Sequence, residues 1–197
     1  MNFLAHIYLS GNNDLIKIGN FMADGIKGKD YLNFPEEIKT GILLHRQIDT
    51  FTDSHSVYRK SKHRLHEKYG HYAGVIMDIL YDHFLAKNWH LYSEVSLDSF
   101  VASFYKLLRT NHNLLTEKTK SILPVMTVNN WLVSYKSIKG IEKILFQMNY
   151  RTNHKAKMHE AVQELNTFYT EFESEFFEFF EELKLFSSNF LSNLKSI

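Results

Sequence analysis

A chain of 197 residues, 44% of them apolar, is long enough for one domain with a sizeable core. No uninterrupted apolar run approaches the ~20 residues of a spanning helix, cysteine is absent, and the first residues lack a basic segment ahead of an apolar run that His6 breaks, so a membrane span, disulfides, thiolate chemistry and a signal peptide are all excluded and the cytoplasm is the expected compartment. The net charge of +1 hides an asymmetry: residues 160–197 hold eight Glu and two Lys, which leaves 21 basic and 14 acidic residues before them, a basic body suited to an acidic or phosphate-bearing partner.

Gly and Pro are sparse, and most segments repeat at three and four rather than alternating, which predicts an all-α fold, a single helical bundle spanning 1–197. A short first helix is expected over Asn2 to Leu9, closed by Gly11-Asn12-Asn13, and a second over Asp14 to Ala23 with Leu15, Ile18 and Met22 on one stripe. Pro35-Glu36-Glu37 opens a third, because proline fits a first turn and carboxylates there favour the helix dipole; it runs to about Asp53. A basic fourth helix follows over Ser56 to Tyr69, stopped by Gly70, and a fifth over Tyr72 to Trp89. Ser96 caps a sixth reaching about His112, Pro124 starts another that contains Trp131, and a mixed helix covers Ser137 to Tyr150. The last is expected to run from Lys157 to about Asn193. Its stripe of Phe168, Phe172, Phe176, Phe179, Leu183, Phe186 and Phe190 reads first as helix packing and second as a homodimer contact.

Eight of the 11 histidines precede residue 91, and three helices in that half place His and Asp on apolar faces. His45, Asp49 and Asp53 stand at i, i+4 and i+8, and Asp78 and Asp82 at i and i+4, so each set shares one helix face. Like charges on a half-buried face repel and are costly to desolvate unless a cation lies between them. His6 and Asp24 add one such group from each of the first two helices. A His/Asp set without Cys suits Mn²⁺, Fe²⁺, Zn²⁺ or Mg²⁺. Read singly, each group has a plainer role: His6 as a hydrogen-bonded core histidine, Asp24 as a turn residue before Gly25, Arg46 as an ion-pair partner of Asp49 or Asp53, and the basic fourth helix as a solvated face.

Four stretches in order, Asn2-Phe-Leu-Ala-His6, Gly19-Asn20-Phe-Met-Ala-Asp24, Gly41 to Asp53, and Asp78-Ile-Leu-Tyr-Asp82-His83-Phe-Leu, resemble the bacterial acyl carrier protein phosphodiesterases, also called holo-acyl-carrier-protein hydrolases. That family is a divergent branch of the all-helical HD-type metal phosphohydrolases. The resemblance implies Mn²⁺-dependent hydrolysis of the phosphodiester between 4′-phosphopantetheine and a serine of acyl carrier protein. One departure stands out: the chain has no His-Asp dipeptide, and its adjacent pair is Asp82-His83, in reverse order.

On this resemblance the expected metal set is Asp24, His45 and Asp82, with Asp78, His6 and His83 as further ligands. Asp49 would orient a ligand histidine or act on the attacking water, Arg46 would hold a phosphoryl oxygen, and His6 or His83 would protonate the leaving serine. Arg59, Lys60, Lys62 and Arg64, with Lys27 and Lys29, would dock the acidic carrier protein; no nucleic acid is expected as a partner. Two rivals follow from the same residues. One is an HD-like phosphohydrolase of a nucleotide or other small phosphodiester. The other is a non-catalytic helical interaction protein whose His/Asp clusters are structural.

Overall fold

A computed structural model describes residues 1–151 and 156–194. Among them the secondary structure is helical throughout, with no strand. The order is α1 (Phe3–Leu9), α2 (Asp14–Met22), α3 (Glu36–Ser54), α4 (Ser56–Tyr69), α5 (Ala73–Lys87), α6 (Leu97–Thr110), α7 (Glu117–Val128), α8 (Trp131–Ser134), α9 (Ile138–Arg151), α10 (Val162–Thr167) and α11 (Tyr169–Leu194), with short 3₁₀ turns between several of them. No described helix is long and apolar enough to cross a membrane.

Several helix starts follow from local chemistry. The Asn13 side chain accepts from the Leu15 and Ile16 amides, Ser96 from Ser99, and Thr116 from Thr119, so orphan first-turn donors are satisfied by a side chain just outside the helix. Two expectations need correction. Pro124 does not open a helix; it lies inside α7, because Thr116 and Glu117 already supply a cap and an acidic first turn eight residues earlier, and Trp131 starts the separate α8. The C-terminal helix is not continuous from Lys157. Lys157 has a left-handed backbone, a 3₁₀ turn covers Met158–Ala161, and the chain breaks again at Phe168 before α11 begins.

The backbones of α2 and α3 approach each other closely. A Cβ on Gly19 would overlap the backbone carbonyl of Ile38, and one on Gly41 would overlap the carbonyl of Ile16 and lie 2.7 Å from the Asn20 nitrogen. Only glycine allows two helix backbones so near each other. This contact sets Asn20 beside the face of α3 that carries His45.

The Phe stripe of α11 is turned inward. Phe172, Phe176, Phe179, Phe180 and Leu183 are fully buried, and their rings meet Phe51 of α3, Tyr58 of α4, Tyr81 and Phe84 of α5, and Tyr8 of α1. The acidic side of α11 meets the basic side of α4. The buried carboxylate of Glu175 takes both arms of the Arg64 guanidinium, at 2.6 and 2.8 Å, together with Lys60 at 3.0 Å and the Ser61 hydroxyl. Lys68 meets Glu160 and Glu164. The charge asymmetry of the sequence is thereby cancelled in large part within the molecule. Glu175→Ala strips the half-buried Arg64 guanidinium of its counterion and should cost roughly 1–3 kcal/mol of stability. Urea unfolding checks this, and an unchanged midpoint would show that the pair contributes nothing.

Candidate functional site

The imidazoles of His6 (α1) and His45 (α3) stack face to face, with ring centroids 4.0 Å apart and planes 20° from parallel. Both are buried. Asn20 of α2 fixes their orientation. Its Nδ2 donates to the His6 carbonyl and the Ser10 hydroxyl, each at 2.9 Å, which turns its Oδ1 toward the rings as an acceptor. His6 Nδ1 then donates to Asn20 Oδ1 at 2.8 Å, and His45 Nδ1 donates to the Asn20 backbone carbonyl at 2.9 Å and to Oδ1 at 3.2 Å. With both Nδ1 atoms carrying protons, both Nε2 atoms point the same way, with lone pairs when the rings are neutral.

Carboxylates face those Nε2 atoms. Asp49, one turn after His45 on α3, lies 3.1 Å from His45 Nε2 through Oδ2 and 3.3 Å from His6 Nε2 through Oδ1. Asp24, on the 3₁₀ turn that follows α2, lies 3.1 Å from His45 Nε2. Burial disfavours the charged form of His45, but its hydrogen bonds to Asp24 and Asp49 outweigh that and hold its pKa at about 9. Burial also opposes ionisation of Asp49, yet the two imidazoles pull it well below the usual carboxylate range. Asp24 is lowered as well, chiefly by the His45 hydrogen bond. His6 is pushed down, first by burial and next by the charge on His45. A neutral His6 therefore presents its Nε2 lone pair to Asp49 Oδ1 and, at 3.2 Å, to the Met1 carbonyl, three acceptors with no proton among them.

That frustration is what a cation relieves. One ligand atom each from His6, His45 and Asp49 lies within 4.8 Å of the others, and the 3.1 and 3.3 Å from the two Nε2 atoms to the Asp49 carboxylate fall inside the span of two metal–ligand bonds of about 2.0–2.2 Å. The donor set is nitrogen and oxygen only, and Asn20 plays the outer role that fixes a ligand histidine's tautomer.

The other sequence-predicted residues lie elsewhere. Asp82, fully buried, accepts from the Leu4 and Ala5 amides at 2.7 and 3.3 Å and so anchors the first turn of α1; burial pushes its carboxyl up to about 7. Asp78 takes the α-ammonium of Met1 at 3.0 Å and the Tyr58 hydroxyl at 2.7 Å. His83 is on the opposite side of α5, donating to the Tyr135 carbonyl at 2.7 Å and meeting the Tyr169 hydroxyl at 2.9 Å. Neighbours in sequence, Asp82 and His83 face different partners because adjacent helix positions point about 100° apart. Arg46 donates to the Ile26 carbonyl and lies over the Tyr31 ring. Of the α4 cations, Lys60 and Arg64 are held by Glu175, and Lys62 lies 3.7 Å from Asp53 and over the Tyr58 ring. Arg59 donates to the Asp53 carbonyl.

Asn20 was given no role by sequence reasoning. The available signal was an Asn set between Gly19 and Phe21 in the apolar half of α2, where the structure buries it fully. Lys118 and Tyr58 were likewise unassigned. Both line a cavity of about 480 Å³, whose polar lining includes His6, Asp24, His45, Asp49 and Asp78 and whose apolar lining includes Phe21, Ile122, Trp131, Ile144 and Met148.

A family model described as acyl carrier protein phosphodiesterase matches residues 1–183. Curated relatives of that same name come from Photorhabdus laumondii, 29% identical over 181 residues, 91% of each chain. Another, from Pectobacterium atrosepticum, is 27% identical over 93% of this chain and 95% of its own. A third, from Klebsiella pneumoniae, is 27% identical over 96% of this chain and 98% of its own. No solved structure shows a significant match.

Proposed function

The chain belongs to the acyl carrier protein phosphodiesterase family, and from that premise we propose that it hydrolyses the phosphodiester joining 4′-phosphopantetheine to the serine of holo-acyl carrier protein, using a divalent metal held by His6, His45 and Asp49, in the cytoplasm. The observation that carries this reading is the pair of Nε2 atoms converging with Asp49 in the polar lining of the cavity. The metal is best read as Mn²⁺, which suits a mixed imidazole and carboxylate set. Bound there, it supplies positive charge against the phosphoryl oxygens and acidifies water.

The residues around it have separate tasks. Asn20 holds both rings with Nε2 outward, and Asp49 sets their spacing. Asp24, whose side chain is 58% exposed, stands on the solvent side and takes up the proton of the attacking water at its carboxylate. Lys118 at the rim replaces Arg46 as the cation for a phosphoryl oxygen, since the Arg46 guanidinium is engaged by Ile26 and Tyr31. The apolar wall formed by Ile122, Trp131, Ile144 and Met148 excludes water along the pantetheine arm, with Gln147 and Asn2 in reach of its amides.

Chelation should abolish turnover of holo-acyl carrier protein and Mn²⁺ should restore it, read by mass spectrometry as loss of the phosphopantetheine mass. Undiminished turnover in excess chelator would remove the metal from the reading; no mass loss under any condition would remove the activity.

A further inference from the structure

A second basic surface borders the cavity, apart from that of α4. Residues 117–150 hold five Lys and two Glu. Lys120 pairs with Glu117, but Lys118, Lys136, Lys139 and Lys143 are exposed and, among the described residues, have no carboxylate at ion-pairing distance. On α4, Lys60, Arg64 and Lys68 are neutralised by glutamates of the C-terminal segment and Lys62 lies 3.7 Å from Asp53, which leaves Arg59, donating to the Asp53 carbonyl, as the α4 counterpart.

The same segment exposes large apolar side chains: Val128 at 85%, Phe146 at 56% and Val125 at 51%. They form one region with the lysines. On α7, Lys118 and Ile122 line the cavity, and Val125 and Asn129 continue that face outward at helix spacing. Lys143 Nζ donates to Asn129 Oδ1 at 3.4 Å, joining α9 to the end of α7. On α9, Lys139, Lys143 and Phe146 share a face, while the adjacent face supplies Ile144, Gln147 and Met148 to the cavity wall. A cationic, partly apolar surface thus shares two helices with the lip of the cavity.

Resting on the activity proposed above, we infer that the outer face of α7–α9 is where the protein substrate docks, its acidic side chains meeting Lys139 and Lys143 and its apolar side chains meeting Val125, Val128 and Phe146. A partner held there delivers its prosthetic arm over the lip, along the apolar wall, to the metal cluster. Charge complementarity decides the occupant: unneutralised lysines around exposed apolar groups select an acidic helical protein surface over a second copy of this basic face.

The test is steady-state hydrolysis of holo-acyl carrier protein by the Mn²⁺-loaded full chain, with Lys139→Glu/Lys143→Glu, with Val128→Asp, and with Arg59→Glu/Lys62→Glu as the α4 comparison. All these positions are on the surface, and thermal melts confirm that each variant is folded. The expected result is a KM raised about tenfold by the α9 pair and raised by Val128→Asp, kcat within about twofold of the parent, and a weaker salt dependence of kcat/KM. An unchanged KM in both α7–α9 variants, or a rise confined to the α4 pair, overturns the inference. If the parent protein itself leaves holo-acyl carrier protein intact, the activity has failed and the docking surface falls with it.

Discussion

Asp49→Asn should lower kcat for holo-acyl carrier protein by about 10³-fold while leaving the helical content intact. This carboxylate alone meets the Nε2 atoms of both histidines. An amide of the same shape keeps the packing but removes the charge, and its NH₂ donates where a ligand oxygen stood. Metal content should drop in parallel, measured by elemental analysis of the dialysed protein. Full activity and full metal content in this variant would sink the His6–His45–Asp49 assignment. The metal-free protein offers a second reading of the same contact. His45 has a folded pKa of about 9 against an ordinary 6.5, so its ion pairing stabilises the fold fully below 6.5 and that contribution is lost as pH rises through about 9. Thermal midpoints of chelator-treated protein should fall across that window. Asp49→Asn should flatten the fall, because one of the two carboxylates that raise His45 has gone.

Gly41→Ala should be nearly as damaging without touching any reacting group. The added methyl would overlap the Ile16 carbonyl and approach the Asn20 nitrogen to 2.7 Å, and neither is the movable end of a side chain. The helices must separate, at a cost of about 3 kcal/mol or more. Separation also lengthens the 2.9 Å bond between His45 Nδ1 and the Asn20 carbonyl. Both stability and kcat should therefore fall, and a ligand that binds the metal cluster should not rescue kcat. Wild-type melting and turnover in Gly41→Ala would show that α2 and α3 have slack here. A control is Gly74→Ala at a half-buried glycine, where a Cβ meets only ordinary contacts at 3.8 and 3.9 Å.

The sequence made the helical class and most of the early elements legible, because apolar residues recur at three and four and glycine or asparagine turns separate several of the helices. Ser56 to Tyr69 matches its expected span. Pro124 misled because proline is read as a start, whereas the cap at Thr116 lay upstream of it. In the site, the i, i+4 spacing of His45 and Asp49 and the early positions of His6 and Asp24 pointed to groups that the fold does gather. The same spacing argument picked out Asp78 and Asp82, whose carboxylates meet the Met1 ammonium and two backbone amides respectively. Spacing along one helix reports that a charge needs a partner; which partner arrives depends on how α1 lies across α5. The basic run of α4 was similarly ambiguous, since its acidic counterpart begins about a hundred residues later in the chain, at Glu160 to Glu175.

Asn20 carries a consequence for how sequences of this kind are sorted into working and defunct enzymes. One amide oxygen accepts from both imidazoles, so the two rings cannot be re-oriented independently. A homologous chain could keep His6, His45, Asp49 and Asp24 in their places and still be inert if an Asp stood at the position of Asn20. The Nδ2 donor that locks the amide onto the His6 carbonyl would be gone, and a third carboxylate would compete for the same cation. A checklist of ligand-bearing positions would pass such a chain. The discriminating letter is the residue that orients the two histidines.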